Sequence, residues 1–198
     1  MQKGTLMSSN THSSNRKAVR LVSNPRGAVL AGALATLLSA GAALANTEEF
    51  RLQGEGTLRW FGLKIYDARL LSAQRMVGEK TLSQPFALEL TYARSFSGAK
   101  IAETSLDEMR KFTQATPEQL QRWQAAMERL FPSVTAGDRL RGVFAPGQAA
   151  TFYFNDRPIG SIDDAEFARA FFSIWLDPRT AKPELRRQLL GLAPAQGS

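Results

Sequence analysis

Cysteine is absent from the 198 residues of this chain, and histidine occurs once, as His12 near the N-terminus. Without cysteine the chain can form no disulfide bond and can offer no thiolate as a nucleophile or metal ligand. Without a histidine in the rest of the chain, Ser-His-Asp catalysis and the usual zinc ligand sets are excluded there. We therefore expect no metal site and no cofactor. Any chemistry would rely on Arg, Lys, Tyr, carboxylate or hydroxyl groups.

The N-terminal 45 residues have the pattern of a signal peptide. Basic residues occur between positions 16 and 26, an apolar run covers Ala28–Ala40, and Ala43 and Ala45 are the small residues that a signal peptidase reads. The apolar run is too short to span a hydrocarbon layer of about 30 Å comfortably. We predict cleavage after Ala45 and export to the periplasm by the general secretory route. An uncleaved anchor and a fully secreted product are the alternatives.

A strong excess of one sign of charge is missing from the remaining chain. The whole sequence has 25 basic and 18 acidic residues, a formal net charge of +7. Five of the basic residues and none of the acidic residues lie in residues 1–45, which leaves a net charge of +2 for residues 46–198. A nucleic-acid partner is therefore not expected. Residues 46–198 have the length of one domain, with an ordered core expected at about 49–191 and no expected transmembrane span.

Apolar patterns predict two groups of strands. Strands are expected over 50–71, with a turn or bulge at Gly54-Glu55-Gly56, and Leu58–Leu71 is apolar on both faces, as is typical of one central strand. Phe86–Arg94 alternates apolar and polar residues and indicates a half-buried strand. The remaining predicted strands are Arg139–Phe144, Ala149–Phe154 and Pro158–Ile162.

Two pairs of helices are predicted, one between the two groups of strands and one after the second group. The predicted helix starts are Ser97, Thr116 with a capping box to Gln119, Asp163 and Pro183. Phe167–Trp175 is the expected apolar face of the third helix. The order of strands, two helices, strands and two helices predicts an α+β fold, in which helices pack on one face of an antiparallel sheet.

Two stretches of the chain resemble the bacterial branch of the chalcone isomerase-like family. The first runs from Leu52-Gln53-Gly54-Glu55-Gly56 into Trp60-Phe61-Gly62-Leu63-Lys64-Ile65-Tyr66-Asp67-Ala68. The second is Phe167–Asp177, closing on Leu189-Leu190-Gly191. The resemblance implies an open-faced β-sandwich, with helices on one side of a large antiparallel sheet. It also implies one of two functions, since plant members cyclise a chalcone to a flavanone and other members bind fatty acids in the equivalent cleft.

The catalytic pattern of the plant enzymes is not matched. When the chain is matched to the enzymes at Lys64-Ile65-Tyr66 and Gly54-x-Gly56, the position of their oxyanion-binding arginine falls on Leu58. Matching through Gly98 places their active-site tyrosine near Ile101. Arg59 is one position from the arginine and points to the opposite face of a strand unless a bulge intervenes. We therefore expect no catalytic residues and favour a non-catalytic member.

The candidate ligand-binding residues are Arg59, Lys64, Tyr66, Tyr92 and Arg94, which could line one cleft. Each also has a structural alternative, such as a tyrosine at the sheet edge, a lysine extended into solvent or an arginine in a surface ion pair. The leading hypothesis is an exported protein that binds a small amphiphile such as a fatty acid.

Two other functions remain open, and each makes its own structural demand. An isomerase, formally an intramolecular lyase, on an unknown substrate requires Arg59 to converge with Tyr66 or Tyr92. An envelope accessory protein that uses the fold as a scaffold requires a filled core and an exposed apolar patch. The leading hypothesis requires a cavity above about 300 Å³ behind the sheet. The sequence does not identify the ligand or any protein partner.

Overall fold

The computed structural model describes residues 50–76 and 80–192, so the predicted leader and its cleavage site lie outside the described residues. Six strands form one antiparallel sheet in which the spatial order follows the chain. The strands are β1 Arg51–Trp60, β2 Leu63–Ser72, β3 Phe86–Tyr92, β4 Arg139–Phe144, β5 Ala150–Phe154 and β6 Arg157–Ile162. Within the described part of the chain, no helix is both long and apolar enough to cross a membrane.

Four α-helices occur among the described residues, and a short 3-10 turn at Thr81–Ser83 precedes β3. The helices are α1 Gly98–Met109 and α2 Pro117–Leu130 between β3 and β4, and α3 Ala165–Leu176 and α4 Pro183–Leu189 after β6. Their buried side chains join those of the strands in one hydrophobic core. The predicted α+β fold, with an antiparallel sheet and helices on one face, is confirmed.

Aromatic rings fill the space between the sheet and the helices. Phe86 of β3 stacks on Phe144 of β4 with ring centroids 4.9 Å apart. Phe172 of α3 meets the Phe86 ring edge-to-face, with centroids 5.1 Å apart. Phe152 of β5 meets Phe171 in the same way at 5.3 Å. Such pairs contribute about 0.5–1.5 kcal/mol each beyond the area that they bury. The predicted apolar face of α3 is therefore confirmed as core.

The opposite face of the sheet carries a row of polar side chains that lie directly across from one another. Glu55, Arg69, Glu89, Arg141 and Tyr153 occupy matching positions on β1 to β5. The Arg69 guanidinium lies 3.7 Å from the Glu55 carboxylate and 3.5 Å from that of Glu89. The Arg141 guanidinium stacks 4.7 Å from the centre of the Tyr153 ring. Cross-strand pairs of this kind support the register of the sheet.

The predicted single strand over Leu58–Leu71 is wrong, because the chain reverses at Phe61 and Gly62. Both residues have positive φ, 47° and 77°, as in the tight turns that join antiparallel strands. The stretch is therefore a β-hairpin, in which β1 is an edge strand rather than a central one. The turn was hidden because Phe61 occupies a position that usually holds Asn, Asp or Gly.

The glycines of β1 allow α4 to pack directly on the strand. A Cβ atom at Gly54 would lie 2.2 Å from the backbone oxygen of Gln188, and one at Gly56 would lie 2.8 Å from a methyl group of Leu185. The irregularity predicted near these glycines is present as a register shift between Leu52 and Gly54. Gly54 and Gly56 therefore set the distance between β1 and α4.

The helix starts follow the capping residues closely. Thr116 and Gln119 form the predicted capping box of α2, and Ser97 caps α1 by accepting from the Lys100 amide. The start of α3 differs from the prediction by one residue, because Asp164 rather than Asp163 accepts from the amides of the first turn.

Replacing Gly54 by alanine is expected to lower the free energy of unfolding by about 1–3 kcal/mol, because the new methyl group overlaps the backbone of α4. Urea denaturation followed by circular dichroism measures the change. Arg51→Ala, which alters an exposed side chain at the start of the same strand, serves as the matched control. Equal stability of the two variants would contradict the proposed close approach.

Candidate functional site

Two of the predicted ligand-binding residues, Tyr66 and Tyr92, lie directly opposite each other on β2 and β3. Both are buried on the face covered by the helices, and their rings meet edge-to-face with centroids 6.0 Å apart. The indole nitrogen of Trp175 on α3 donates a hydrogen bond of 2.9 Å to the Tyr66 hydroxyl. Phe96 packs against Tyr92 at 6.0 Å. This tyrosine pair lies between β2, β3 and α3.

Burial keeps both phenols of the tyrosine pair in the neutral form. It raises the pKa of Tyr66 well above the ordinary value, the hydrogen bond from Trp175 partly opposes this, and the Glu108 carboxylate adds a smaller increase. Burial likewise raises the pKa of Tyr92, with a smaller contribution from Tyr66. Neither residue can act as a phenolate near neutral pH. The Tyr92 hydroxyl has no hydrogen-bond partner among residues 50–76 and 80–192.

The predicted residue Arg59 lies on the other face of the sheet. Leu58 is opposite Tyr66 and faces the helices, whereas Arg59 is opposite Lys64. The register shifts between these two pairs because Ile65 is an extra residue in β2. A bulge is present, but it lies in β2 and leaves Leu58 rather than Arg59 beside the tyrosine pair.

The bulge also corrects the expected position of Lys64. The sequence pattern places Lys64 on the same face as Tyr66, but the extra Ile65 turns it away. Its ammonium group lies 2.5 Å from the Asp67 carboxylate, which also accepts a 2.7 Å hydrogen bond from Thr57. Burial acts to raise the pKa of Asp67. The hydrogen bonds from Lys64 and Thr57, together with the positive charges of Lys64 and Arg59, outweigh burial and lower the pKa of Asp67.

Arg94, the fifth predicted residue, is exposed in the segment after β3. It follows Ala93, whose amide donates a 2.9 Å hydrogen bond to the Ile65 carbonyl. The structure therefore brings together Tyr66 and Tyr92, and separately Arg59 and Lys64. The isomerase hypothesis requires the Arg59 side chain to converge with the tyrosine pair, and the two do not converge. Ile101, the other position compared with the enzymes, is half-buried in α1.

An open groove of about 280 Å³ runs between the edge strand β1 and helix α4. We call it the β1–α4 groove, and its lining residues are Thr57, Leu58, Arg59, Ala181, Lys182, Pro183, Glu184, Leu185 and Gln188. Leu58 connects it to the tyrosine pair, because Leu58 also lies across from Tyr66. Lys182 borders the groove on the side of α4, and Arg59 borders it at the edge of β1, where its guanidinium donates a 3.3 Å hydrogen bond to the Gly62 carbonyl. Glu184 is the carboxylate among the lining residues and lies 3.8 Å from Arg187.

A second groove of about 320 Å³ lies between α2 and β6, lined by Ala126, Arg129, Leu130, Ser161, Ile162 and Asp163. None of the predicted residues borders it. Both grooves are open to the surface, whereas the leading hypothesis expected a cavity behind the sheet. The aromatic rings described above occupy the centre of that space.

Sequence reasoning missed Trp175 and Lys182 as residues of this region. Trp175 was assigned to the core, correctly, but its hydrogen bond to Tyr66 joins residues 109 positions apart. Lys182 comes just before α4, and its ammonium group lies 4.8 Å from the centre of the Trp60 ring. No local pattern could have indicated either contact, because both depend on how α3 and α4 pack against the first hairpin.

Comparisons with known proteins agree with this architecture. The sequence model of a family described as chalcone isomerase-like matches residues 35–191. A protein of Haemophilus influenzae, described only as uncharacterized, is 28% identical over 138 residues, which are 70% of this chain. The match spans 66% of that protein, just under two thirds of its length. The crystal structure of an Arabidopsis thaliana fatty-acid binding protein matches with a TM-score of 0.55 at 12% identity, covering 72% of this chain and 87% of that one. The last likeness shows the fold alone.

The raised pKa values of Tyr66 and Tyr92 predict a loss of stability at alkaline pH. Unfolded tyrosines release their protons near pH 10, whereas the native pair retains them. The stability is therefore fully present below about pH 10 and falls above it by about 1.4 kcal/mol per pH unit for each tyrosine. Urea denaturation at several alkaline pH values should give a shallower decline for Tyr92→Phe than for the wild type. Identical declines would show that Tyr92 titrates normally.

Proposed function

The chain belongs to the chalcone isomerase-like family, and from that premise we propose that it is an exported, non-catalytic protein that binds a small amphiphile such as a fatty acid. The β1–α4 groove is the proposed site. The fold shared with a fatty-acid binding protein supports a hydrophobic ligand, and the charges of the groove support an acidic head group.

The observation that carries the proposal is the combination of apolar walls and two cations in one groove. Leu58, Pro183 and Leu185 line it with apolar surface. Arg59 and Lys182 border the same groove and outnumber its one carboxylate, Glu184. A carboxylate accepts strong hydrogen bonds from such cations, and an acyl chain gains free energy from contact with the apolar walls. The volume of about 280 Å³ lies slightly below the usual range of ligand sites, which begins at about 300 Å³. The proposed site is therefore an open groove for a small amphiphile, in place of the larger cavity that was expected behind the sheet.

The arrangement of the predicted residues supports a non-catalytic role. Leu58 is the side chain that faces the tyrosine pair from β1. An oxyanion in that position would meet an apolar group and two neutral phenols, instead of a guanidinium. Because electrostatic stabilisation of developing charge is usually the largest contribution to such catalysis, the site is poorly suited to the isomerisation of the plant enzymes.

An accessory role in the envelope is the second candidate, and two observations favour it. Aromatic rings fill the core, and large apolar side chains are exposed at the tip of the first hairpin. Both features match what that hypothesis requires. The ligand experiments below separate the two candidates, since a scaffold protein would carry no amphiphile.

Purification without detergent, followed by native mass spectrometry and solvent extraction, is expected to recover a bound amphiphile. Titration with decanoate and with decanol by calorimetry then tests the cations. Arg59→Ala combined with Lys182→Ala should weaken decanoate binding by about tenfold or more, since hydrogen bonds to charged groups contribute about 1.5–3 kcal/mol, and should change decanol binding little.

Arg51→Ala combined with Lys100→Ala removes the same two residue types from exposed positions outside the groove and is the matched control. Equal weakening by both double variants would mean that overall charge, and not the groove, holds the carboxylate. Absence of any bound or added amphiphile would favour the accessory role.

Export is a separate part of the proposal and has its own test. The chain expressed with its natural N-terminus is expected in the periplasmic fraction, with Asn46 as the first residue of the mature protein. N-terminal sequencing and intact-mass measurement check this. A full-length chain retained in the membrane fraction would favour the uncleaved anchor instead.

A further inference from the structure

The β1–β2 hairpin ends in an exposed apolar tip formed by Trp60, Phe61, Gly62 and Leu63. Trp60 is 55% exposed, Phe61 is 88% exposed and Leu63 is 51% exposed. The rings of Trp60 and Phe61 meet edge-to-face at 5.0 Å. Most large apolar side chains of the described residues are buried, so the concentration of three exposed ones in one turn is unusual.

The backbone conformation of the hairpin tip is one that an aromatic residue seldom adopts. Phe61 has a φ of 47°, which is unfavourable for an aromatic residue and which Asn or Gly adopts readily. Its ring has an aromatic contact with the neighbouring Trp60, and its high exposure shows that it contributes little to the core. The stability of the turn alone would therefore favour a different residue, which indicates that the ring serves a contact outside the folded domain.

Positive charges surround the hairpin tip. Arg59 precedes it, Lys64 follows it, and the Lys182 ammonium group lies 4.8 Å from the Trp60 ring. Lys64 is paired with Asp67, and Glu184 lies near Arg187. Arg59 and Lys182 are therefore the cations of this region that have no ion pair within the described part of the chain. An apolar protrusion with cations at its base is complementary to a surface that is negatively charged outside and apolar beneath.

We propose that the hairpin tip docks this protein onto a bilayer that contains anionic lipids. Trp60, Phe61 and Leu63 enter the region between head groups and acyl chains, where aromatic side chains are favoured, and the cations contact lipid phosphates. A protein partner fits less well, because three side chains offer far less than the roughly 800 Å² per partner of a stable interface. The contact is peripheral and reversible.

This proposal does not depend on a ligand in the β1–α4 groove. The two features are adjacent, however, because Arg59 and Lys182 border both. Docking by the hairpin tip would place one end of the groove at the lipid head groups. A protein that fails to bind decanoate could still dock, so the two proposals fail separately.

The test is co-sedimentation of the exported protein with vesicles of phosphatidylglycerol and phosphatidylethanolamine, compared with vesicles of phosphatidylcholine. We expect binding to the anionic vesicles, weakening at high salt, and a blue shift of tryptophan fluorescence. The shift reports on Trp60, since Trp123 and Trp175 are buried. Phe61→Asn should weaken the partition coefficient by about tenfold, because it removes the most exposed apolar side chain from the contact.

Phe61→Asn also creates an Asn-Gly turn, so the variant is expected to retain or exceed the thermal stability of the wild type. The matched control is Leu52→Asn, which removes a side chain that is 48% exposed near the other end of β1 and should leave vesicle binding unchanged. The proposal is overturned if the wild type does not sediment with anionic vesicles, or if Phe61→Asn binds them equally well. Self-association that is lost in Phe61→Asn, without vesicle binding, would assign the tip to a protein contact instead.

Discussion

The burial of one face of a six-stranded antiparallel sheet under helices is the constraint on which the rest of the structure depends. One face carries the charged row from Glu55 to Arg141, so the apolar side chains must gather on the other. Aromatic rings fill that side, which leaves its centre close-packed. At the edge of the sheet, Gly54 and Gly56 let α4 approach the backbone of β1, and this contact forms the walls of the β1–α4 groove.

The bulge at Ile65 determines how the candidate residues are divided between the two faces. It keeps Leu58 and Tyr66 together on the helix side and sends Arg59 and Lys64 to the other. Tyr66 therefore lies in the core, whereas Arg59 and Lys64, which are close to it in sequence, lie on the other face of the sheet. The tyrosine pair is a buried element of the core that borders the groove through Leu58. Arg59 and Lys64 remain at the surface, and the acidic head group of the proposed ligand would meet Arg59 there.

The hairpin tip departs from the usual chemistry of a two-residue turn. Phe61 accepts a positive φ and nearly complete exposure, and neither feature stabilises the isolated domain. Departures of this kind are expected where function, rather than folding, decides the residue. The tip, the cations at its base and the groove beside it lie at one end of the first hairpin, so lipid contact and amphiphile binding would share one region of the molecule.

The sequence by itself determined the features that depend on neighbours a few residues apart. The capping box at Thr116, the alternation of Phe86–Tyr92 and the order of elements were sufficient for the α+β fold, and the motifs near Gly54 and Phe167 indicated the family. Only the tertiary structure decided the hairpin turn at Phe61, the side of Lys64 and the contact between Tyr66 and Trp175. The turn and the bulge oppose local propensity and are held in place by strand pairing. Tyr66 and Trp175 are 109 positions apart and meet only because the helices pack on the sheet.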